Sequence, residues 1–342
     1  MTGPWVHAIS LPPGAVPAVA PSQEVAADDA VAWSRAVGTP FRLPVARPLQ
    51  RSATEAADLV VPRPGEVVLL DQLVARTGQR EVRSPRDALF LYYATRDGVA
   101  RLAPLGEREP LIGHVRGLVT QVSSTAIEIT ITSAVVHGVG GTGAPVHGTL
   151  ALGVTEPDGE LRPAAIDATM AGHIVVGGGW ASAETLSRAR AVGVAGVVVG
   201  GLRARELLDF RSAHRRRHEL GALSAGFGVL VLEGFGPAGM EPALFAWLRA
   251  HDGRTATLFG DGHRLAVYDA SSPPTRTPVA VVGDRVFGIR RPALGVGGVL
   301  VQVAEDLRVL PSGITARTGQ VRTDDGRLLE VALANLEAVR AS

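Results

Sequence analysis

Between residues 173 and 259, apolar runs alternate with segments of helical period. The order is strand "HIVVGGG", helix "SAETLSRARAVG", strand "VAGVVVGG", helix "RARELLDFRSAHRRRHEL", strand "FGVLVLEGFG", helix "EPALFAWLRAHDG" and strand "RTATLF". Short strands alternating with helices of ten or more residues predict a parallel sheet with crossover helices. The first two strands are apolar throughout, as expected when both faces are covered. In the third helix Leu244, Trp247 and Leu248 fall on one stripe that should pack on the sheet. Three such units are too few for an eightfold barrel, so residues 170–265 are read as a small three-layer, Rossmann-like α/β domain.

The flanks follow a different period. Residues 1–155 carry short Val-rich runs separated by Pro and Gly, the pattern of an all-β domain. In "AIEITIT", Ile127, Ile129 and Ile131 alternate with more polar residues, as the buried face of a strand requires. An internal echo links "LPPGAV" at 11–16 to "PRPGEV" at 62–67 and suggests duplication. His137 and His147 bracket "GVGGTGAPV", which reads as a hairpin with a mobile tip. After a linker, "DASSPPTRTP" at 269–278, residues 276–342 return to short strands, with a hairpin turn at Asp324, Asp325 and Gly326.

Composition narrows the chemistry. The chain has 46% hydrophobic and 20% charged residues, which fits a globular protein and not a disordered one. There is no cysteine, which excludes disulfides, thiolate metal sites and a Cys nucleophile. There is no lysine either, so all 34 basic residues are arginine, which excludes Schiff bases, a P-loop lysine and attached biotin or lipoate. The formal net charge of +1 argues against a surface dominated by phosphate binding. The first 20 residues lack a basic segment and are broken by prolines, unlike a signal peptide. No apolar run approaches the about 20 residues that span a bilayer. A cytoplasmic location with no membrane partner is expected, and no cofactor.

Three phrases, "PGEVVLLDQLVA", "VRSPRDALFLYY" and "HVRGLVTQVSS", are similar to the barrel-sandwich hybrid family, which includes biotinyl and lipoyl carriers. A carrier presents a modified lysine, so the resemblance implies a non-carrier, structural or docking version. "GDRVFGIRRPALGVGGVLVQV" is similar to the KOW motif of SH3-like barrels. The whole arrangement resembles a bacterial family that combines these modules and brings no assigned activity. The fold class expected is therefore multidomain α/β plus all-β, with the parallel-sheet domain flanked by a barrel-sandwich-like domain and an SH3-like barrel.

Candidate sites cluster at the glycines. A dinucleotide fingerprint fails here: Gly177 and Gly179 supply two positions, but the third falls on Ser182 and no acid ends the next strand. A looser site survives. Gly177, Gly178 and Gly179, Gly200 and Gly201, and Gly234 and Gly236 all end strands just before helices, where backbone N–H groups can hold a small anionic ligand, with Ser182 adding its hydroxyl. The alternative is that these glycines only permit tight turns. Glu233 closes an apolar strand on the same edge and is the candidate acid/base, with Asp261 as a neighbour. The alternative gives Glu233 an arginine or backbone donors.

"HRRRH" places Arg215, Arg216 and Arg217 between His214 and His218; it lacks the Glu of a zinc protease and reads as a solvated face or a contact for an acidic partner. No metal site is expected. The leading expectation is a non-enzymatic adaptor that docks protein partners through its β domains and senses a small anion at its α/β centre. The alternatives are a nucleotide- or sugar-phosphate-binding enzyme or sensor using Glu233, and an RNA- or ribosome-associated protein using Arg285, Arg290 and Arg291 of the tail.

Overall fold

The computed structural model describes residues 2–219, 226–275, 280–289, 293–311 and 313–339, without the side chains of residues 2 and 213–219. The chain is strand-rich, at 48% strand and 15% helix, so most of its core is built by sheet faces. It divides into two units, Trp5–Ile131 and Thr132–Ser342 with Met1–Pro4. Among the described residues no helix is long and apolar enough to cross a membrane.

In Trp5–Ile131 the main sheet runs in the order Val16–Pro17, Ala30–Val37, Val99–Ile112, Ala88–Ala94, Val67–Val68, with Phe41–Pro44 also on Val99–Ile112. Val68, Val74, Phe90, Ala100 and Leu102 fill its core. Ile127, Ile129 and Ile131 are fully buried, as their alternation predicts. The echo has a structural counterpart. Pro13–Gly14 and Pro64–Gly65 sit at the centres of two matching turns, closed by Ala15 N donating to Pro12 O and Glu66 N to Arg63 O, both at 3.0 Å. Gly14 and Gly65 take φ of 77° and 90°, which a type II turn demands at that position. A second matched pair follows. Ala20 N donates to Gln23 Oε1 at 3.0 Å and Leu69 N to Gln72 Oε1 at 2.8 Å, with Ser22 and Asp71 at positive φ. The all-β expectation misses two short helices, Ala46–Leu49 and Ala53–Ala57. The second starts at a capping box in which Ser52 and Glu55 bond each other's backbone N–H.

The layered part of the second unit contains strands β1 (Gly140–Thr142), β2 (Val146–Leu152), β3 (His173–Val176), β4 (Gly196–Leu202), β5 (Gly228–Phe235), β6 (Thr255–Phe259) and β7 (Arg264–Val267). Its helices are α1 (Ala183–Val192), α2 (Ala204–Glu219) and α3 (Pro242–Ala250). The strand order is β1-β5-β4-β3-β2-β6-β7. β2, β3, β4 and β5 are mutually parallel, and β2 comes from the segment whose pattern groups it with the earlier strands. Alternate residues face opposite layers. Val175, Val197, Val199, Val229 and Val231 pack with Leu186, Ala189, Leu207 and Phe210 of α1 and α2. Ile174, Val176, Val198, Leu230 and Leu232 pack with Leu244, Phe245 and Leu248 of α3.

β6 departs from the expected parallel sheet. It enters antiparallel to β2, on the far side from β5. The reason is the path of α3. Its start is tied to β5, where Glu241 N donates to Glu233 Oε1, and its end to the exit of β2, where Arg249 Nη2 donates to Thr155 O. Nine residues of helix span about 14 Å, which matches three inter-strand gaps of about 4.8 Å. The helix therefore crosses the strands instead of running back down them. It delivers the chain at the carboxyl end of β2, from which the next strand can only descend.

The expected hairpin between His137 and His147 does not form. β1 instead joins the sheet edge beside β5. Glycines make this possible: a Cβ at Gly141 or Gly138 would come within 2.6 Å of Val229 O or Val231 O. The described residues between 280 and 339 form an antiparallel five-stranded sheet in the order Leu328–Ala332, Thr315–Thr323, Gly297–Val309, Arg285–Gly288, Leu336–Ala338. The turn at Asp324–Gly326 joins two of these strands, with Gly326 at φ 85°. Val286, Leu300, Val321 and Leu336 form its core, while Ile314 and Ala316 pack into the α1/α2 layer.

Candidate ligand site at the carboxyl rim of the layered sheet

The three glycine corners end β3, β4 and β5, and they lie along one rim; Trp180 pairs with Gly201 and Gly201 with Gly234. Five of their N–H groups are already used. Gly177 N donates to Val198 O at 2.8 Å, Gly179 N to Gly159 O at 2.7 Å, Gly200 N to Gly178 O at 2.9 Å, Gly201 N to Gly179 O at 2.6 Å and Gly236 N to Leu202 O at 2.9 Å. The space above them is also filled. A Cβ at Gly178 would lie 2.8 Å from Gly159 O, one at Gly179 2.5 Å from Asp158 O, and one at Gly200 2.5 Å from Ala238 O. Segments 156–159 and 236–240 therefore occupy the position expected for an anion. The glycines are needed because backbone meets backbone there.

Ser182 is likewise committed. It caps α1, its Oγ accepting from Thr185 N at 3.2 Å and lying 3.0 Å from Thr185 Oγ1. Glu233 is half-buried, and its Oε1 accepts from Glu241 N at 3.1 Å, which ties it to the start of α3. Asp261 is not beside it. Asp261 Oδ1 accepts from Gly143 N at 3.1 Å, and Gly143 lies against Gly228 at the opposite end of β5. Five strand residues, about 17 Å, separate that end from Glu233. The pairing of the two carboxylates as acid and base is corrected by this geometry.

Among the histidines, His263 is buried beside Asp261; burial pushes its imidazole below the ordinary range, and the Asp261 charge opposes this. His147 Nδ1 lies 3.4 Å from Thr257 Oγ1, which is 2.9 Å from the buried Tyr268 hydroxyl. Among the described residues, no group of three His, Asp or Glu side chains is placed to hold a metal ion. The side chains of His214, Arg215, Arg216, Arg217 and His218, and all of Arg290 and Arg291, lie outside the described residues. Arg285 is described, and its Nη2 lies 3.0 Å from Asp324 Oδ2.

One step along the same rim, at the carboxyl end of β2, is a cleft of about 440 Å³ lined by Leu152, Gly153, Val154, Thr155, Glu156 and Arg249. Topology explains its position. After β2 the chain leaves toward the α1/α2 layer, where Leu161 and Ile166 pack, while α3 arrives from the opposite layer. Two connections that part to opposite faces leave a crevice between them, as at the switch points of open α/β sheets. Arg249 is held firmly there: Nη2 donates to Thr155 O at 2.6 Å, and the guanidinium carbon sits 5.0 Å from the Phe245 ring centre. Sequence reasoning missed this cleft. Its glycine signal pointed to the neighbouring strands, while Arg249 is an ordinary basic residue in the last turn of a helix.

The first unit has a different feature. Leu69 and Leu70, 53% and 63% exposed, form the tip of a turn. Leu70 N donates to Asp87 Oδ1 at 2.7 Å, and Arg35 Nη1 donates to Asp87 Oδ2 at 2.7 Å. The Arg35 hydrogen bond, followed by the Leu70 N–H, holds the Asp87 carboxyl below its usual range. Asp71 N donates to Ser84 O at 2.8 Å, which closes the support from the other side. Compared with known proteins, the chain matches no family model and no curated protein.

Proposed function

We infer that the chain is a non-enzymatic adaptor that docks a protein partner through its β-rich regions. The observation that carries this reading is the rigid Leu69–Leu70 turn. Two adjacent leucines project from a loop whose backbone is fixed by Gln72, Asp87 and Ser84. Fixing exposed apolar groups before binding lowers the ordering cost of an interface. Burying the exposed parts of both leucines would contribute on the order of 2–3 kcal/mol. The matched turns at Gly14 and Gly65 fit a duplicated, barrel-sandwich-like docking module without a carrier lysine. The antiparallel sheet built from the described residues between 280 and 339 fits an SH3-like module.

The other readings have less support. An enzyme using Glu233 loses its second carboxylate to the opposite rim, and Glu233 itself is engaged at the start of α3. RNA association through the tail draws on Arg285, whose charge is balanced by Asp324. The test is affinity capture from the source organism with the wild-type chain and with a Leu69→Ser/Leu70→Ser variant. A protein retained at stoichiometric level by the wild type and lost from the variant is expected. Identical capture by both chains overturns the docking role of this turn.

A further inference from the structure

We propose that the cleft at the carboxyl end of β2 binds a small zwitterion, an α-amino acid with an apolar side chain. Its carboxylate would rest on Arg249, its ammonium group would face Glu156, and its side chain would lie on Leu152 and Val154.

Arg249 supplies the anion subsite. Its guanidinium is oriented by Thr155 O and the Phe245 ring, and it makes no ion pair among the described residues. One Nη2 proton is spent on Thr155, which leaves the rest of the fork for two parallel bonds to a carboxylate. The N–H groups of Val154, Thr155 and Glu156, three of the residues that line the cleft, donate to no acceptor among the described residues.

Glu156 decides which anion. Glu156 is an exposed residue of the same cleft, and among the described residues its carboxylate has neither an ion pair nor a hydrogen bond. Arg249 and Glu156 therefore present opposite charges that do not neutralise each other. A phosphate would be drawn to the first and repelled by the second, whereas a zwitterion satisfies both. Leu152 and Val154 are half-buried and give the apolar wall that a side chain needs. The volume of about 440 Å³ lies toward the lower end of the range for small-molecule sites, as an amino acid requires.

The inference is independent of the docking reading, since the residues and the measurement are different. The test is calorimetric titration of the whole chain with alanine, valine, leucine, methionine and phenylalanine. Controls are 4-methylpentanoate, which lacks the ammonium group, 3-methylbutylamine, which lacks the carboxylate, and inorganic phosphate. At least one amino acid is expected to bind saturably, and each control at least tenfold more weakly. Arg249→Gln and Glu156→Gln should each weaken that amino acid at least tenfold. Arg249→Lys, which keeps the charge but not the fork, should recover only part of the loss. Glu156→Gln removes no contact within the fold, so it reads binding even if Arg249→Gln proves unstable. Failure of all five amino acids to bind overturns the proposal. So does equal binding of 4-methylpentanoate, tighter binding of phosphate, or amino-acid affinity unchanged in Glu156→Gln.

Discussion

Gly200→Ala separates a packed rim from a ligand cradle. Gly200 is buried near the end of β4, and a Cβ there would lie 2.5 Å from Ala238 O, 2.7 Å from Met240 N and 2.9 Å from Gly178 O. Ordinary contacts begin near 3.4 Å, so the overlaps are about 0.5–0.9 Å. All three atoms are backbone, and they are held: Gly200 N donates to Gly178 O at 2.9 Å and Met240 N to Pro157 O at 2.8 Å. Overpacking a rigid site costs about 1–3 kcal/mol. Alanine also restricts the unfolded chain, which returns about 0.4–1 kcal/mol. The expected net loss is about 1.3 kcal/mol. For a unit of this size each kcal/mol shifts the melting temperature by about 2–4 °C, so the variant should melt about 3–5 °C below the wild type. Scanning calorimetry without added ligand reads this directly. A variant that melts at or above the wild-type temperature refutes the packing argument and reopens the rim as a space kept free for a ligand.

Three further outcomes are expected. Glu233→Ala should destabilise the chain by about 1 kcal/mol in urea unfolding, because Glu241 N loses its acceptor at the start of α3, while Glu233→Gln keeps an acceptor oxygen and loses less. Ser52→Ala should cost about 1 kcal/mol by breaking the capping box of Ala53–Ala57. His263 gives a pH dependence. Its folded value lies below the ordinary 6.5, so the unfolded state binds the proton first. Stability should be full above pH 6.5 and fall as the pH drops toward the folded value, with His263→Gln flattening this part of the melting-temperature profile.

Local signals carried much of the layered unit. Ser182 and Gly193 bracket α1 as its N-cap and left-handed C-cap. The apolar runs of β3, β4 and β5 became buried parallel strands because each had to cover two faces. What stayed hidden depends on direction and long-range pairing. Nothing in "EPALFAWLRA" says that the helix crosses the strands, so the reversal of β6 was not legible. "GVGGTG" gave a flexible signal because glycine tolerates both tight turns and close backbone contact, and here contact with β5 prevailed. The same ambiguity made the rim glycines look like a cradle. Whether an N–H is free depends on segments 156–159 and 236–240, which carry no motif. The cleft at Arg249 was missed for a related reason, since it lies between a connection that leaves β2 toward one layer and a helix that arrives from the other.

The twin turns of Trp5–Ile131 supply a natural comparison. Ala20–Gln23 and Leu69–Gln72 share one backbone shape and one glutamine brace, yet the first displays Ala20 and Pro21 where the second displays Leu69 and Leu70. Grafting two leucines onto the first corner would give the chain two copies of the same apolar knob. A partner with repeated sockets would then be gripped by avidity, and the strength of that grip would depend on the spacing of its sockets.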